Sequence, residues 1–326
     1  MYYFNKENTF LKAFDEHTQR GYDKTGNNKW LFWFITYLIA TAVQFIPMFT
    51  LIIALGILIG VFYRGTDSSL LLASLTAGPL HEWFFLALPT LIVILSFWIY
   101  IRLIEKRAFS TIGLQGNKKF IKYLKGAAIA IIMQLAYFII VMLMGWGEVL
   151  SDPFYATEGL GIDALGFVLL FLIGFMIQGA SEEVVVRGWM LPVLSKHYKI
   201  STAIILSSLY FGFLHILNNH ITFLSIINLI LYGLFAALYA LYDDGLWGIF
   251  ANHSIWNWFM GNILGLPVSG SIIGKVSIIE TNLTGPAWIT GGAFGPEGGI
   301  IVTFILLLSI AIVLRLLVKK SILLPA

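Results

Sequence analysis

Long apolar runs constrain this sequence more than any other feature. A helix needs about 20 mostly apolar residues to cross the hydrocarbon core of a bilayer, and we find about eight runs of this kind. They lie at Ala40–Leu58, Phe84–Leu103, Ala127–Met144, Leu165–Ala180, Ala203–Leu217, Leu224–Tyr242, Leu246–Leu264 and Ile300–Val318. Ser68–Pro79 is only weakly apolar, and we assign it to a loop. The fold class predicted is all-α: a polytopic bundle of about eight transmembrane helices in a lipid bilayer.

The composition agrees with a membrane protein and excludes several other classes. Apolar residues make up 59% of the 326 residues and charged residues only 11%, whereas a soluble domain carries about a quarter charged residues. The net charge of +3 is too small to suggest a nucleic-acid partner. The chain has no cysteine, which excludes disulfides, thiolate metal sites and a cysteine nucleophile. We expect a single transmembrane domain, residues 30–320, after an N-terminal arm, residues 1–29.

The basic residues predict the orientation, since cytoplasmic loops are enriched in lysine and arginine. With about eight spans, the basic segments all fall on one side of the membrane. They are the N-terminal arm, the loop around Arg102–Lys125, the loop at Lys196–Lys199 and the tail at Arg315–Lys320. Both termini are therefore predicted to be cytoplasmic. The acidic turn Asp243–Asp244–Gly245 is the exception. The arm is expected to be either an interfacial helix through Phe10, Leu11 and Phe14 or a solvated tail.

Ionisable residues inside the predicted spans point to a functional site, because charges in a membrane are costly. The first cluster continues the fourth span. Glu183 and Arg187 stand four residues apart and share a helix face, so we expect them to form an ion pair. Glu182 points elsewhere and is free to act as a general base. The alternative is that the span ends near Ala180 and these charges lie in water at the cytoplasmic rim.

Two further clusters contain histidine. His215 lies near the end of the fifth span, where a lone histidine is more often a hydrogen-bonded core group. His253 and Asn257 stand four apart in the seventh span and share a face, although polar pairs of this kind also join membrane helices without doing chemistry. Glu182 and His215 are almost equally far along the chain from Tyr198. If the fourth helix continues to about Ser195, they lie at similar depth on antiparallel neighbours.

The residues in these clusters fit some chemistries and exclude others. The chain has no His-Glu-x-x-His zinc motif, no Gly-x-Ser-Gly serine motif and no Gly-x-Gly-Asp aspartyl motif. A glutamate, two histidines and an asparagine can activate a water and stabilise an oxyanion. Two imidazoles and a carboxylate can also bind a divalent metal such as zinc, with His215 and His253 as ligands.

These motifs resemble those of the CAAX-protease and bacteriocin-processing (CPBP) family. Glu182–Glu183-x-x-x-Arg187 is similar to the family's first motif, Phe211-x-x-x-His215 to its second, and His253-x-x-x-Asn257 to its third, in the same order. Softer similarities extend the resemblance over Arg107–Glu297 and leave the two N-terminal spans outside it. They are Arg107–Leu114, Arg187–Gly188–Trp189 and Gly291–Glu297.

The resemblance implies an intramembrane endopeptidase that resembles CAAX prenyl protease 2. It implies that Glu182 and His215 activate a water, that His253 and Asn257 stabilise the oxyanion, and that Arg187 orients Glu183. The substrate expected is a membrane-associated or lipidated peptide, and the location expected is a bacterial plasma membrane. The family is called a metalloprotease, but a metal-free mechanism also fits these residues.

Two other functions stay open at this stage. A transporter can also contain buried acids and histidines. Many transporters consist of two inverted repeats, but this sequence shows none, since its polar clusters occupy only one half of the chain. A non-catalytic immunity or scaffold protein that binds a peptide is the second alternative. The Gly-rich loop Pro267–Gly299 can cap a cavity, but we prefer the interpretation that Pro296–Glu297 simply begins the last span.

Overall fold

The computed structural model describes residues 2–4, 11, 28–62, 78–152 and 154–325, and it is helical over most of them. Most of the predicted N-terminal arm, with Phe10 and Phe14, and most of the predicted loop from Ser68 lie outside the described residues. The helices are α1 Lys29–Phe62, α2 Pro79–Ile99, α3 Lys119–Leu143, α4 Leu165–Glu183, α5 Leu191–His197, α6 Ile200–Leu214, α7 Phe223–Asp243, α8 Trp247–Trp258, α9 Ala287–Thr290 and α10 Ile300–Lys319. The all-α prediction is confirmed.

A helix occupies each of the predicted spans, but not all of these helices are long enough to cross a bilayer. Among the described residues, six helical stretches are long and apolar enough. The helix α6 has only 15 residues, and α8 has 12 and continues as a π-helix over Phe259–Ile263. Almost every residue of α8 is buried, so neighbouring helices rather than lipid surround it. A helix enclosed in this way does not need the full membrane thickness.

The helix that carries the first charged cluster is longer than its apolar run. It is helical over Gly161–His197, 37 residues, and widens into a π-helix at Val184–Met190 before α5 begins. Glu183 and Arg187 are fully buried. The alternative in which the span ends near Ala180 and these charges lie in water is therefore wrong. The helix continues beyond Ser195, which was the condition for Glu182 and His215 to lie at similar depth.

Small residues bring α3, α4 and α8 into close contact. A Cβ atom on Gly126 of α3 would lie 1.8 Å from the carbonyl oxygen of Gly248 in α8, and one on Gly179 of α4 would lie 2.8 Å from the backbone nitrogen of Ser254. Backbones can approach this closely only where side chains are absent. As a result, α8 is held between α3 and α4, with His253 and Asn257 facing α4.

The loop after α8 is folded onto the end of the bundle by two-stranded sheets and by a buried acid. Gly147–Leu150 pairs antiparallel with Glu280–Leu283, and Gly159–Leu160 pairs parallel with Val276–Ser277. The buried Glu280 carboxylate accepts hydrogen bonds at 2.7–3.1 Å from the backbone N–H groups of residues 154–156. This end of the bundle is therefore well ordered.

The two ends of the chain meet at the opposite end of the bundle. Tyr2–Phe4 pairs antiparallel with Leu323–Pro325. The acidic turn after α7 lies here too, and the Lys122 ammonium donates to the carbonyls of Asp243 and Asp244. Basic side chains thus lie beside the acidic turn, which was the exception to the predicted distribution of basic residues. These two described segments lie at the same end of the bundle, and the cytoplasmic location of both termini stays a prediction.

Candidate active site

The carboxylate of Glu182 is the centre of the predicted site. Its Oε2 atom lies 3.8 Å from Nε2 of His215 and 3.8 Å from Nε2 of His253. This oxygen is buried and has no hydrogen-bond partner among the described residues. The other oxygen, Oε1, accepts a hydrogen bond from Gln178 Nε2 at 2.5 Å. Three segments that are distant in sequence therefore meet at one carboxylate oxygen.

Glu183 faces the interior and has the structural pairing that the sequence predicts. Its Oε1 accepts from Arg187 Nη1 at 3.0 Å and from His253 Nδ1 at 2.8 Å. The Arg187 guanidinium lies 4.5 Å from the centre of the Phe211 ring and donates to the carbonyl of Gly233 in α7 at 3.2 Å. Because both charged side chains are fully buried, removing either one would leave the other as an uncompensated charge in the interior.

The tautomer of His215 follows from its hydrogen bond. His215 follows the last residue of α6, and its Nδ1 lies 2.8 Å from the carbonyl oxygen of Phe211. A carbonyl can only accept, so Nδ1 carries the proton. In the neutral ring Nε2 then has a free lone pair, and this lone pair faces Glu182. His215 is therefore a hydrogen-bonded core histidine and also a part of the candidate site.

His253 is arranged in the same way by a different partner. Its Nδ1 donates to the Glu183 carboxylate, and its ring packs against Tyr232, 5.2 Å between centres, and Phe211, 5.8 Å. Its Nε2 is left facing Glu182. An imidazole held by a carboxylate on one nitrogen and open on the other is suited to exchange protons or to bind a cation.

Asn257 joins the site through a residue that the sequence analysis missed. Its Nδ2 donates at 2.9 Å to Oε1 of Gln178, whose Nε2 holds Glu182. Gln178 therefore connects the predicted base with the predicted oxyanion residue. It stands four residues before Glu182 on the same face of α4, and this spacing could have identified it.

Glu297 holds the last loop against α8, which differs from the role that the sequence predicted for it. Pro296–Gly298 forms a separate 3-10 turn, and α10 begins only at Ile300. The Glu297 carboxylate is buried and accepts from Trp256 Nε1 at 3.0 Å and from Ser269. It does not simply begin the last helix. It ties the loop to α8 beside Asn257.

The donor atoms around Glu182 have the chemistry of a zinc site but not its spacing. Zinc binds nitrogen and oxygen ligands at about 2.0–2.2 Å, which puts tetrahedral ligand atoms roughly 3.4 Å apart, whereas both separations here are 3.8 Å. Across the described part of the chain, no group of three or more His, Cys, Asp or Glu side chains has the arrangement of a metal site. Metal binding by His215 and His253 stays a prediction.

A comparison with protein families identifies this region. Residues 164–259 match the family described as type II CAAX prenyl endopeptidase Rce1-like. The matched segment contains Glu182, Glu183, Arg187, His215, His253 and Asn257.

This match supports the assignment of residues 164–259 to the CAAX protease family.

The match indicates a protease, and together with the several apolar helices it supports an integral membrane protein. The match covers less than a third of the 326 residues and runs from the start of α4 to just beyond α8. No curated protein and no solved structure shows significant similarity to the chain. The helices outside the match are α1 to α3, α9 and α10.

Proposed function

We propose that this CAAX protease hydrolyses a peptide bond of a membrane-associated or lipidated peptide with a water that Glu182 and His215 activate. The convergence of two imidazole nitrogens on Glu182 Oε2, each at 3.8 Å, carries this proposal. A water oxygen can lie at about 2.8 Å, hydrogen-bond distance, from both atoms of such a pair. When Glu182 is ionised and His215 is neutral, Oε2 and Nε2 both accept hydrogen bonds, so a water with two protons suits this pair.

In the hydrolysis, the water oxygen forms a bond to the peptide carbonyl carbon and gives one proton to Glu182 or His215. The carbonyl π electrons move to the oxygen, which becomes an oxyanion. When the tetrahedral intermediate collapses, the C–N bond breaks and the stored proton goes to the leaving amine. The products are a carboxylic acid and an amine, which become a carboxylate and an ammonium when the acid passes its proton to the amine, and no covalent enzyme intermediate forms.

The oxyanion is stabilised by His253 and Asn257. Asn257 Nδ2 has two protons, of which one is donated to Gln178, so the other is free for the substrate. His253 donates from Nε2 in its protonated form, while its Nδ1 donates to the Glu183 carboxylate. The four charges then balance, with Glu182 and Glu183 against Arg187 and His253. This balance avoids an uncompensated charge in the bundle.

The substrate class proposed rests on the family and on the location of the site. The family name refers to prenylated CAAX proteins, and a site within a membrane bundle is most easily reached by a chain that lipid keeps at the membrane. We therefore propose a lipidated peptide as the preferred substrate and place the enzyme in a bacterial plasma membrane.

Cleavage of quenched fluorogenic peptides by the purified protein tests this function. One set carries a farnesyl group on a cysteine near the C-terminus, and a matched set carries a small polar thioether there. We expect mass spectrometry to show a new carboxyl terminus, formed faster from the farnesylated set. Equal rates would refute the lipid preference. No product from either set, with folded protein, would favour the scaffold alternative.

A further inference from the structure

A large apolar crevice lies on the outer surface of the bundle between α3, α7 and α10. Its volume is about 530 Å³, and the predicted catalytic residues do not line it. Its walls include Ala128, Ile132 and Ala136 of α3, Phe235 of α7, and Ile305 and Ile312 of α10. A soluble ligand would find little to bind here, because the walls are nearly all hydrocarbon and the Ser309 hydroxyl already donates to the carbonyl of Ile305.

The crevice follows the direction of the helices. Lys125, Tyr242 and Leu316 line one end, and Ala136 and Ile305 line the other, since α3 runs antiparallel to α7 and α10. From Leu316 to Ile305 the helix rises about 16 Å. That length is roughly half of the 30 Å hydrocarbon core. The crevice therefore has the depth of one leaflet of the bilayer.

The end of the crevice at the membrane surface is basic. Lys125 lines it and is exposed. The Lys320 ammonium lies 3.9 Å from the Tyr242 ring centre and donates to the Tyr242 carbonyl at 3.0 Å. Lys122 and Lys319 lie at the same end.

Two acids are nearby, in the turn after α7. Asp243 accepts a hydrogen bond from the backbone of Gly248 at 3.2 Å, and the carbonyls of Asp243 and Asp244 accept from Lys122. Among the described residues, the four lysines therefore outnumber the two acids, which gives this part of the mouth a net positive charge.

We propose that this crevice binds an anionic phospholipid from the leaflet on the basic side. One acyl chain occupies the apolar groove, and the head-group phosphate lies between Lys125 and Lys320. The match of length, apolar wall and terminal positive charge selects this ligand over a zwitterionic lipid, whose head group has no net charge to complement the lysines. The inference does not depend on the proposed proteolysis.

Bound lipid would support α7, the helix that packs against His253 of the catalytic site. Phe235 lines the crevice, and its ring packs against Tyr232, 6.1 Å between centres, on the side of α7 that contacts His253. A ligand that binds only the folded protein raises its melting temperature. We therefore expect the anionic lipid to stabilise the protein.

Native mass spectrometry of the delipidated full chain, with a parallel thermal-shift series, tests the proposal. The probes are phosphatidylglycerol and phosphatidylcholine with identical acyl chains. We expect phosphatidylglycerol to bind more tightly and to raise the melting temperature more. Lys125→Gln and Lys320→Gln should each weaken its binding roughly fivefold, the equivalent of one basic contact. Lys199→Gln, at an exposed lysine outside the crevice, is the matched control.

A second pair of variants tests the groove itself. Ala128→Trp fills the crevice and should abolish tight binding of phosphatidylglycerol, whereas Ala54→Trp, at an exposed position of α1, should not. Equal binding of the two lipids, or binding that neither lysine variant weakens, would overturn the head-group assignment. Full binding by a folded Ala128→Trp protein would overturn the acyl-chain assignment.

Discussion

Glu183 and His253 join α4 to α8 through a hydrogen bond of 2.8 Å from Nδ1 of the imidazole to Oε1 of the carboxylate. The same oxygen is held by Arg187 at 3.0 Å. Arg187 therefore fixes the carboxylate, the carboxylate fixes the ring, and the ring presents Nε2 to Glu182. The adjacent glutamates thus have different surroundings, one paired and fully buried, the other facing the two free imidazole nitrogens.

Arg187→Met should destabilise the protein by about 3–5 kcal/mol, because it leaves the Glu183 carboxylate buried without its cation. The double variant Arg187→Met with Glu183→Gln removes both charges and should recover most of this stability. It should not recover peptide cleavage, because the charged partner of His253 is gone. Thermal unfolding and cleavage rates of the three proteins check this. A double variant no more stable than the single one would contradict the pairing.

Gln178→Leu should lower kcat roughly ten- to hundredfold, the loss expected for a hydrogen bond to a charged group. The variant releases Glu182 and Asn257 together but removes no group that bonds to the substrate, so KM should change little. Steady-state kinetics on a cleavable peptide measure both constants. Gln115→Leu, in the exposed loop before α3, is the control. A changed KM at unchanged kcat would argue that Gln178 binds substrate instead.

Gly126→Ala should destabilise the bundle by about 1–3 kcal/mol, the usual cost of overpacking. The added methyl would meet the Gly248 carbonyl at 1.8 Å. Gly166→Ala in α4 meets nothing within 4 Å and should be neutral or stabilising, because alanine favours a helix more than glycine does. Melting temperatures in one detergent compare the pair. Equal melting temperatures would mean that α3 and α8 are not so closely packed.

A chelator distinguishes metal-free hydrolysis from zinc-dependent hydrolysis by Glu182, His215 and His253. The 3.8 Å separations lead us to expect cleavage to continue after dialysis against a strong chelator. Loss of activity on dialysis and its return with zinc would contradict the metal-free mechanism. It would also indicate that the histidines and Glu182 move closer around the ion, and His215→Ala should then abolish zinc binding in equilibrium dialysis.

The sequence predicted the residues of the site better than its surroundings. Glu182, His215 and His253 were identified because charges in apolar spans are rare, and the Glu183–Arg187 pair because its spacing matches one helical turn. The structure confirms that pairing and brings the three clusters together. Their catalytic roles stay predictions.

Other features depend on tertiary contacts that no local pattern carries. The helix continues past Ala180 because Glu183 and the neighbouring helices compensate the charge of Arg187. A hydropathy scale treats this charge only as unfavourable for a membrane span, since it does not include such partners. Helix α8 is short because it is enclosed by protein. Glu297 bonds to Trp256, 41 residues earlier in the chain, so its helix-start interpretation was wrong for a reason that only the fold reveals.

The most direct test of the account is the rate of peptide cleavage by Glu182→Gln. The variant keeps the shape of the side chain and its contact with Gln178, so its melting temperature should stay close to that of the unchanged protein. Glu148→Gln, at an exposed position of the loop after α3, provides a matched control. The account predicts that Glu182→Gln abolishes cleavage and Glu148→Gln does not. Cleavage by the folded Glu182→Gln protein at the rate of the control would contradict it.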